Sequence, residues 1–194
     1  MIHTDDITAV VLAGGRGRRV HGQDKGLLSY QGRPLIATIL ERLEPQVGSI
    51  LISANRNLDQ YQSFGWPVFQ DRLDNYQGPL AGLCSGLEAA RTPWLLSVPC
   101  DGPVFPLNLV ERLAAALENQ PASVALACDG IKTHYTYALL STRLLDDLHS
   151  TLARGERRLG TWLEAHQPAL ADFSASAHSS TDAFANLNHP EDFV

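Results

Sequence analysis

Short apolar runs that do not alternate with polar residues recur along this chain. Each is followed by a loop and then, in most cases, by a stretch of helical periodicity. The runs are residues 7–12, 50–52, 68–69, 94–98 and 124–127. A strand without alternation is one buried on both faces. Between the runs, Leu35, Ile36, Ile39, Leu40 and Leu43 fall at helical spacing after Pro34. Leu80, Leu83, Leu87 and Ala90 do the same after Pro79. Val110, Leu113, Ala114 and Leu117 form a third stripe, which predicts a helix over 107–117 opened by Pro106. Further helices are expected over 143–152 and 159–166. This alternation predicts an α/β fold, a three-layer sandwich with a mostly parallel sheet. Residues 136–140 read as a strand antiparallel to its neighbour, and 169–173 as a last strand. Residues 184–188 alternate, which puts Asn186 and Asn188 on one side if the segment is extended.

The chain has 194 residues, enough for one well-buried core, and a single domain over 1–194 is expected. With 44% hydrophobic and 19% charged residues, disorder over most of its length is excluded. A net charge of −6 argues against a general nucleic-acid binder. No apolar run approaches a membrane span, so neither nucleic acid nor a membrane is an expected partner. Cys84, Cys100 and Cys128 form no C-x-x-C pair and suggest no disulfide framework. The acidic opening, Met1 to Asp6, lacks the layout of a signal peptide. The cytoplasm is therefore the expected compartment.

In a parallel sheet, ligands bind in the crevice beyond the carboxyl ends of the strands. Gly14, Ser53, Asn55, Asp71 and Asp101 all fall just after predicted strands. The first of these loops sets Arg16, Arg18, Arg19 and Lys25 among glycines, which is the chemistry of a polyphosphate cradle. It is not a Walker A loop, because Gln23-Asp24 stand where Lys and Ser/Thr are required. Nor is it a dinucleotide fingerprint, because Val20 occupies the last glycine position. A nucleoside triphosphate is the expected ligand, and a glycine-rich turn with solvated arginines is the alternative. Asp101, in a loop stiffened by Pro99 and Pro103, is placed to hold Mg²⁺ against a triphosphate, or else only to shape the turn. The helix start at Gly78-Pro79 can receive an anion or a base edge. The basic run from Arg154 to Arg158 reads equally as a ligand contact or a solvated turn. Cys84, within Gly82-Leu83-Cys84-Ser85-Gly86, falls inside a predicted helix and not on the sharp turn that a nucleophile needs. The histidines are scattered, without zinc-ligand spacing.

Leu12-Ala13-Gly14-Gly15, Arg19, Asp24-Lys25-Gly26-Leu27-Leu28 and Gly32-Arg33-Pro34-Leu35 together look like a nucleotidyltransferase signature. The likeness continues through Ala54-Asn55-Arg56, Asp71, Gly78-Pro79-Leu80-Ala81-Gly82, Pro99-Cys100-Asp101, Gly155-Glu156-Arg157-Arg158 and Asn186-x-Asn188. In this order the set resembles the molybdenum cofactor guanylyltransferase (MobA) family over nearly the whole chain. The resemblance implies a Rossmann-like nucleotidyltransferase fold and transfer of GMP from GTP to molybdenum-bound molybdopterin, with release of pyrophosphate. It implies Mg²⁺ as cofactor, held by Asp101, with Arg19, Lys25 and Asp101 as catalytic residues. Nucleotide contacts are implied at Leu12, Ala13, Gly14, Gly15, Lys25, Asn55, Asp71, Gly78, Pro79, Leu80 and Asp101. Arg157, Arg158, Asn186 and Asn188 would bind the pterin. The nucleotide would thus belong to the N-terminal half and the pterin to the C-terminal half. Cofactor-delivery and molybdoenzyme-maturation proteins are implied partners. Val20-His21 depart from the family's usual Met-Gly, and Ser53 stands where it often has Asn. The other readings are a molybdopterin cytidylyltransferase, a sugar-phosphate nucleotidyltransferase, or a non-catalytic nucleotide or cofactor carrier.

Overall fold

The computed structural model describes residues 1–15, 22–70, 78–174, 183–188 and 192. Its first half runs β1 (Ile7–Leu12), β2 (Ser29–Tyr30), β3 (Arg33–Pro34), α1 (Leu35–Leu43), β4 (Ser49–Ser53), α2 (Leu58–Gln62) and β5 (Val68–Phe69). Next come α3 (Pro79–Ala89), β6 (Trp94–Pro99), α4 (Leu109–Asn119), β7 (Val124–Cys128) and β8 (Thr133–Ser141). The remaining elements are α5 (Leu145–Ala153), α6 (Leu159–Ala165) and β9 (Ala169–Asp172). Seven strands form one sheet in the order β5-β4-β1-β6-β8-β7-β9, while β2 and β3 pair separately as a small antiparallel ribbon. Among the described residues, only β8 runs against its neighbours in the large sheet, pairing antiparallel with β6 and β7.

The unbroken apolar runs are explained by the two cores. Ile7, Ala9 and Val11 of β1 pack with Ile50, Ile52, Leu96 and Val98 under α1 and α4. Val10, Leu51 and Leu95 face the other way, against α3, α5 and α6. Successive strand residues therefore serve opposite cores, and the polar ones are hydrogen-bonded: Thr8 pairs with the Thr92 hydroxyl and Ser97 donates to the Thr136 carbonyl. The result is the expected three-layer sandwich. Among the described residues, no helix is long and apolar enough to cross a membrane.

Two expectations need correction. Helix α4 begins at Leu109, with Asn108 as its N-cap, and not at Pro106. The chain from Pro106 makes a preliminary turn in which the Leu109 N–H donates to the Pro106 carbonyl, and Leu107 is left 64% exposed. Residues 184–188 form no strand. Phe184 sits at φ 74° and is buried against Tyr137, Phe173 and His134, so its side chain follows an aromatic cluster and not a sheet face.

The strand order places the site. From β1 the chain moves outward to β4 and β5, then returns across β1 to form β6 on its other side. The crevice between the carboxyl ends of β1 and β6 is the switch point where such sheets take ligands.

Candidate active site

Backbone hydrogen bonds hold the strand ends together at this crevice. The Ala13 N–H donates to the Ser53 carbonyl at 2.7 Å, and the Cys100 N–H to the Leu12 carbonyl at 3.2 Å. The loops after β1 and β6 therefore leave the sheet side by side. Leu12 and Ala13 are fixed to their neighbours in this way, with Gly14 and Gly15 directly beyond. Asn55 Nδ2 donates to the Gly14 carbonyl at 3.4 Å, so this side chain supports the loop. Arg19 and Asp71 lie outside the described residues, as do Val20-His21.

Two residues from distant parts of the chain converge on the ammonium group of a third. Lys25 Nζ donates to Asp101 Oδ2 at 3.0 Å and to Asn188 Oδ1 at 2.7 Å. The lysine and aspartate side chains are 15% and 21% exposed, so the pair is partly shielded yet still reachable. Lys25 begins a short 3-10 turn, Lys25–Leu27, and Asp101 stands just past β6. Asn188 is positioned through its backbone N–H, which donates to Asp192 Oδ2 at 2.7 Å. The Leu187 N–H donates to the Asp101 carbonyl at 2.7 Å, tying the 186–188 segment to the loop after β6. Asn186 belongs to the same cluster, since its carbonyl accepts from Asn188 Nδ2 at 3.4 Å.

Gly102 is where this loop comes closest to its support. A Cβ there would lie 1.9 Å from Tyr137 Oη and 3.3 Å from Asn186 Oδ1. Tyr137 is buried and donates its hydroxyl to the Gly102 carbonyl at 3.0 Å. Burial, reinforced by the Asp101 carboxylate, pushes this phenol far above its ordinary pKa, so it remains a donor. Gly102→Ala is expected to force Tyr137 aside, costing about 1–3 kcal/mol of stability. Urea denaturation checks this, and an unchanged midpoint would contradict the assigned packing.

The adjacent Cys100 is buried, which disfavours a nucleophilic role. Burial pushes its thiol strongly up, and the Asp101 and Asp24 carboxylates push it further in the same direction.

The remaining site residues divide by what faces outward. Gly78, at φ 81°, is the N-cap of α3, and Pro79 is its first residue. Leu80 is fully buried among Val10, Leu51 and Leu83, so only its backbone is available to a ligand at this helix start. Gly78 adjoins the second basic segment, for a Cβ on it would stand 3.9 Å from the Arg157 carbonyl. The Arg157 guanidinium, however, donates to the carbonyls of Leu152 at 2.7 Å and Glu156 at 2.8 Å, shaping the end of α5. Glu156 Oε1 accepts from the backbone N–H groups of Arg157 and Arg158, both at 2.7 Å, and these bonds lower its pKa. Arg158 itself is exposed at the start of α6.

Asp101 suits a hard divalent cation. Its carboxylate is a hard oxygen donor at the switch point, next to a cationic side chain that can neutralise phosphate. One such carboxylate could hold Mg²⁺, an ion that takes few protein ligands when a triphosphate supplies others.

The fold also assembles groups whose spacing gave no sign of them. Arg56, Asn57 and Tyr61 converge on Asp24. Elsewhere, Cys84 and Glu88 of α3 meet His149 of α5, with Glu88 Oε1 2.9 Å from His149 Nε2. Burial and the Glu88 charge push the Cys84 thiol up to about 11, so it stays protonated while the Glu88–His149 pair joins the two helices.

The comparisons with known proteins identify the family. Residues 9–169 match the family described as MobA-like NTP transferase domain. The chain is 47% identical to the molybdenum cofactor guanylyltransferase of Mannheimia succiniciproducens, over 97% of both chains. It is 46% identical to the protein of the same name from an Acidovorax species, over 97% of this chain and 93% of that one. Its fold is similar to that of the Archaeoglobus fulgidus molybdopterin-guanine dinucleotide biosynthesis protein A, with a TM-score of 0.76 at 21% identity. That alignment covers 96% of this chain and 94% of the other. With the family model matching residues 9–169 and 46–47% identity to these relatives over nearly its full length, the chain belongs to the MobA-like NTP transferase family, among the molybdenum cofactor guanylyltransferases.

Proposed function

We infer that the protein transfers GMP from GTP to the terminal phosphate of molybdenum-bound molybdopterin. The products are molybdopterin guanine dinucleotide and pyrophosphate. The observation that carries this reading is the junction at Lys25. One ammonium group is shared between Asp101, expected on the nucleotide side, and Asn188, expected on the pterin side. A transferase must bring its two substrates together, and here the residues expected to bind each are already hydrogen-bonded to one another.

In the reaction, a pterin phosphate oxygen forms a bond to the α-phosphorus of GTP. The bond from that phosphorus to the bridging oxygen of the β-phosphate breaks, and its electron pair leaves with pyrophosphate. One phosphoanhydride replaces another, so catalysis is a matter of alignment and of neutralising phosphate charge. Lys25 supplies positive charge, and the start of α3 offers backbone N–H groups and the positive end of its dipole. The glycine-rich loop after β1 allows close approach to the phosphates. Cys100 stays protonated and buried, which favours direct displacement over a covalent intermediate. Asp101 would hold Mg²⁺. Bound there, the ion would neutralise phosphate oxygens and fix the triphosphate's orientation. The dinucleotide product would pass, in the cytoplasm, to cofactor-delivery and molybdoenzyme-maturation proteins.

Parallel assays of pyrophosphate release with GTP, CTP and UTP, each with molybdenum-bound molybdopterin and Mg²⁺, test the reading. GTP is expected to be used preferentially. Preference for CTP would make the protein a cytidylyltransferase. Release above background with none of the three would favour a carrier.

A further inference from the structure

Arg56 follows β4 and forms no part of the expected substrate contacts, yet its guanidinium joins backbone from two sides of one loop. Nη2 donates to the Gly15 carbonyl at 3.3 Å, just beyond β1. The same nitrogen donates to the Gln23 carbonyl at 2.7 Å, and Nη1 to the Gly22 carbonyl at 2.5 Å. Gly15 and Gly22 are the described residues on either side of the glycine- and arginine-rich segment. One planar group thus spans the segment's exit and its return.

The fourth nitrogen-to-oxygen contact of this group is an ion pair with the residue before Lys25. Arg56 Nε lies 3.5 Å from Asp24 Oδ2, and Asp24 directly precedes Lys25. Asp24 is only 8% exposed. Its Oδ1 accepts from Tyr61 Oη at 2.5 Å and its Oδ2 from Asn57 Nδ2 at 3.0 Å. Tyr61 is fully buried, and burial above all pushes its hydroxyl far up, so it stays a donor. The next glycine packs on that same ring, for a Cβ at Gly26 would stand 2.5 Å from Tyr61 Oη. The backbone on both sides of Lys25 is thereby anchored.

We propose that Arg56, acting through these carbonyls and Asp24, is a positioning residue for GTP. It sets the separation of the two ends of the glycine-rich loop and aims Lys25 into the crevice, without touching substrate. The proposal rests on the guanylyltransferase reading. A guanidinium is required because its flat fork presents several donors at fixed angles, which a lysine ammonium cannot copy. Charge alone is not sufficient.

The test measures GTP affinity by calorimetry without the pterin, and KM for each substrate, in Arg56→Ala, Arg56→Lys and Tyr61→Phe. Circular dichroism and thermal melting confirm that each variant is folded. Arg56→Ala and Arg56→Lys are expected to weaken GTP binding by roughly tenfold to a hundredfold, with the pterin KM within about twofold of wild type. Tyr61→Phe keeps the ring and loses one hydrogen bond to Asp24, and a loss of about three- to tenfold is expected. Should Arg56→Ala fail to fold, Arg56→Lys and Tyr61→Phe decide the matter. A brace of the fold alone would lower the melting temperature and leave both substrate affinities unchanged. That result, equal losses for both substrates, or full function in Arg56→Lys would overturn the proposal. Wild-type nucleotide preference is measured first. If CTP is preferred, the guanylyltransferase reading fails, and the same variants compared with CTP still decide the role of Arg56.

Discussion

Asp101→Ala is expected to lower kcat/KM by about a hundredfold to a thousandfold or more while the protein stays folded. The fold has little stake in this side chain. The contact that organises the neighbouring segment uses the Asp101 backbone carbonyl, which accepts from the Leu187 N–H and survives the substitution. What is lost is the carboxylate oxygen bonded to Lys25, together with the hard donor proposed for Mg²⁺. Asp101→Asn keeps the shape and removes the charge, and is expected to be similarly impaired. Steady-state kinetics over a Mg²⁺ titration, alongside circular dichroism, provide the check. Turnover within about tenfold of wild type would refute a role for Asp101 in holding the metal.

Lys25→Ala is the second large effect. Removing a hydrogen-bonded charge is expected to weaken GTP binding by about tenfold to a hundredfold. The same ammonium also donates to Asn188 Oδ1, so the pterin side loses a partner too. That partner is neutral, and Asn188 remains held by Asp192, so a smaller loss is expected there. Binding of each substrate, measured by calorimetry, separates the two. Equal losses for GTP and pterin would count against Lys25 as the main phosphate charge.

The two effects differ in cause. Lys25→Ala leaves the partly shielded Asp101 carboxylate without its counter-charge, whereas Asp101→Ala leaves a lysine whose long side chain can reach water. A modest stability loss is therefore expected in the lysine variant and little in the aspartate variant.

Strands buried on both faces were legible in the sequence because nothing about them depends on distant partners. The runs at 7–12 and 94–98 became β1 and the core of β6, and Asp101 fell at the expected strand end. Asn188 illustrates partial legibility. Its alternation with Asn186 suggested a shared side; Asn188 does reach Lys25, with the Asn186 carbonyl accepting from it, but through an irregular segment pinned by Phe184 and Leu187. The start of α4 is not legible in the sequence because a proline suits a first helical turn, and only tertiary context shows that the chain turns once more before α4 begins. Arg56 could not be recognised as a clamp from spacing. Its carbonyl partners lie 33 to 41 residues away and meet it only because β1 and β4 are parallel neighbours. Periodicity reports which face of an element is buried, and carries no information about backbone groups gathered from separate loops.

The most direct test of GMP transfer is a competition. The purified protein is supplied with molybdenum-bound molybdopterin, Mg²⁺ and equimolar GTP and CTP, and the dinucleotide products are separated and weighed by mass spectrometry. The guanine dinucleotide is expected to dominate, in step with pyrophosphate release. A cytosine dinucleotide as the main product, or no dinucleotide from either nucleotide, would contradict it.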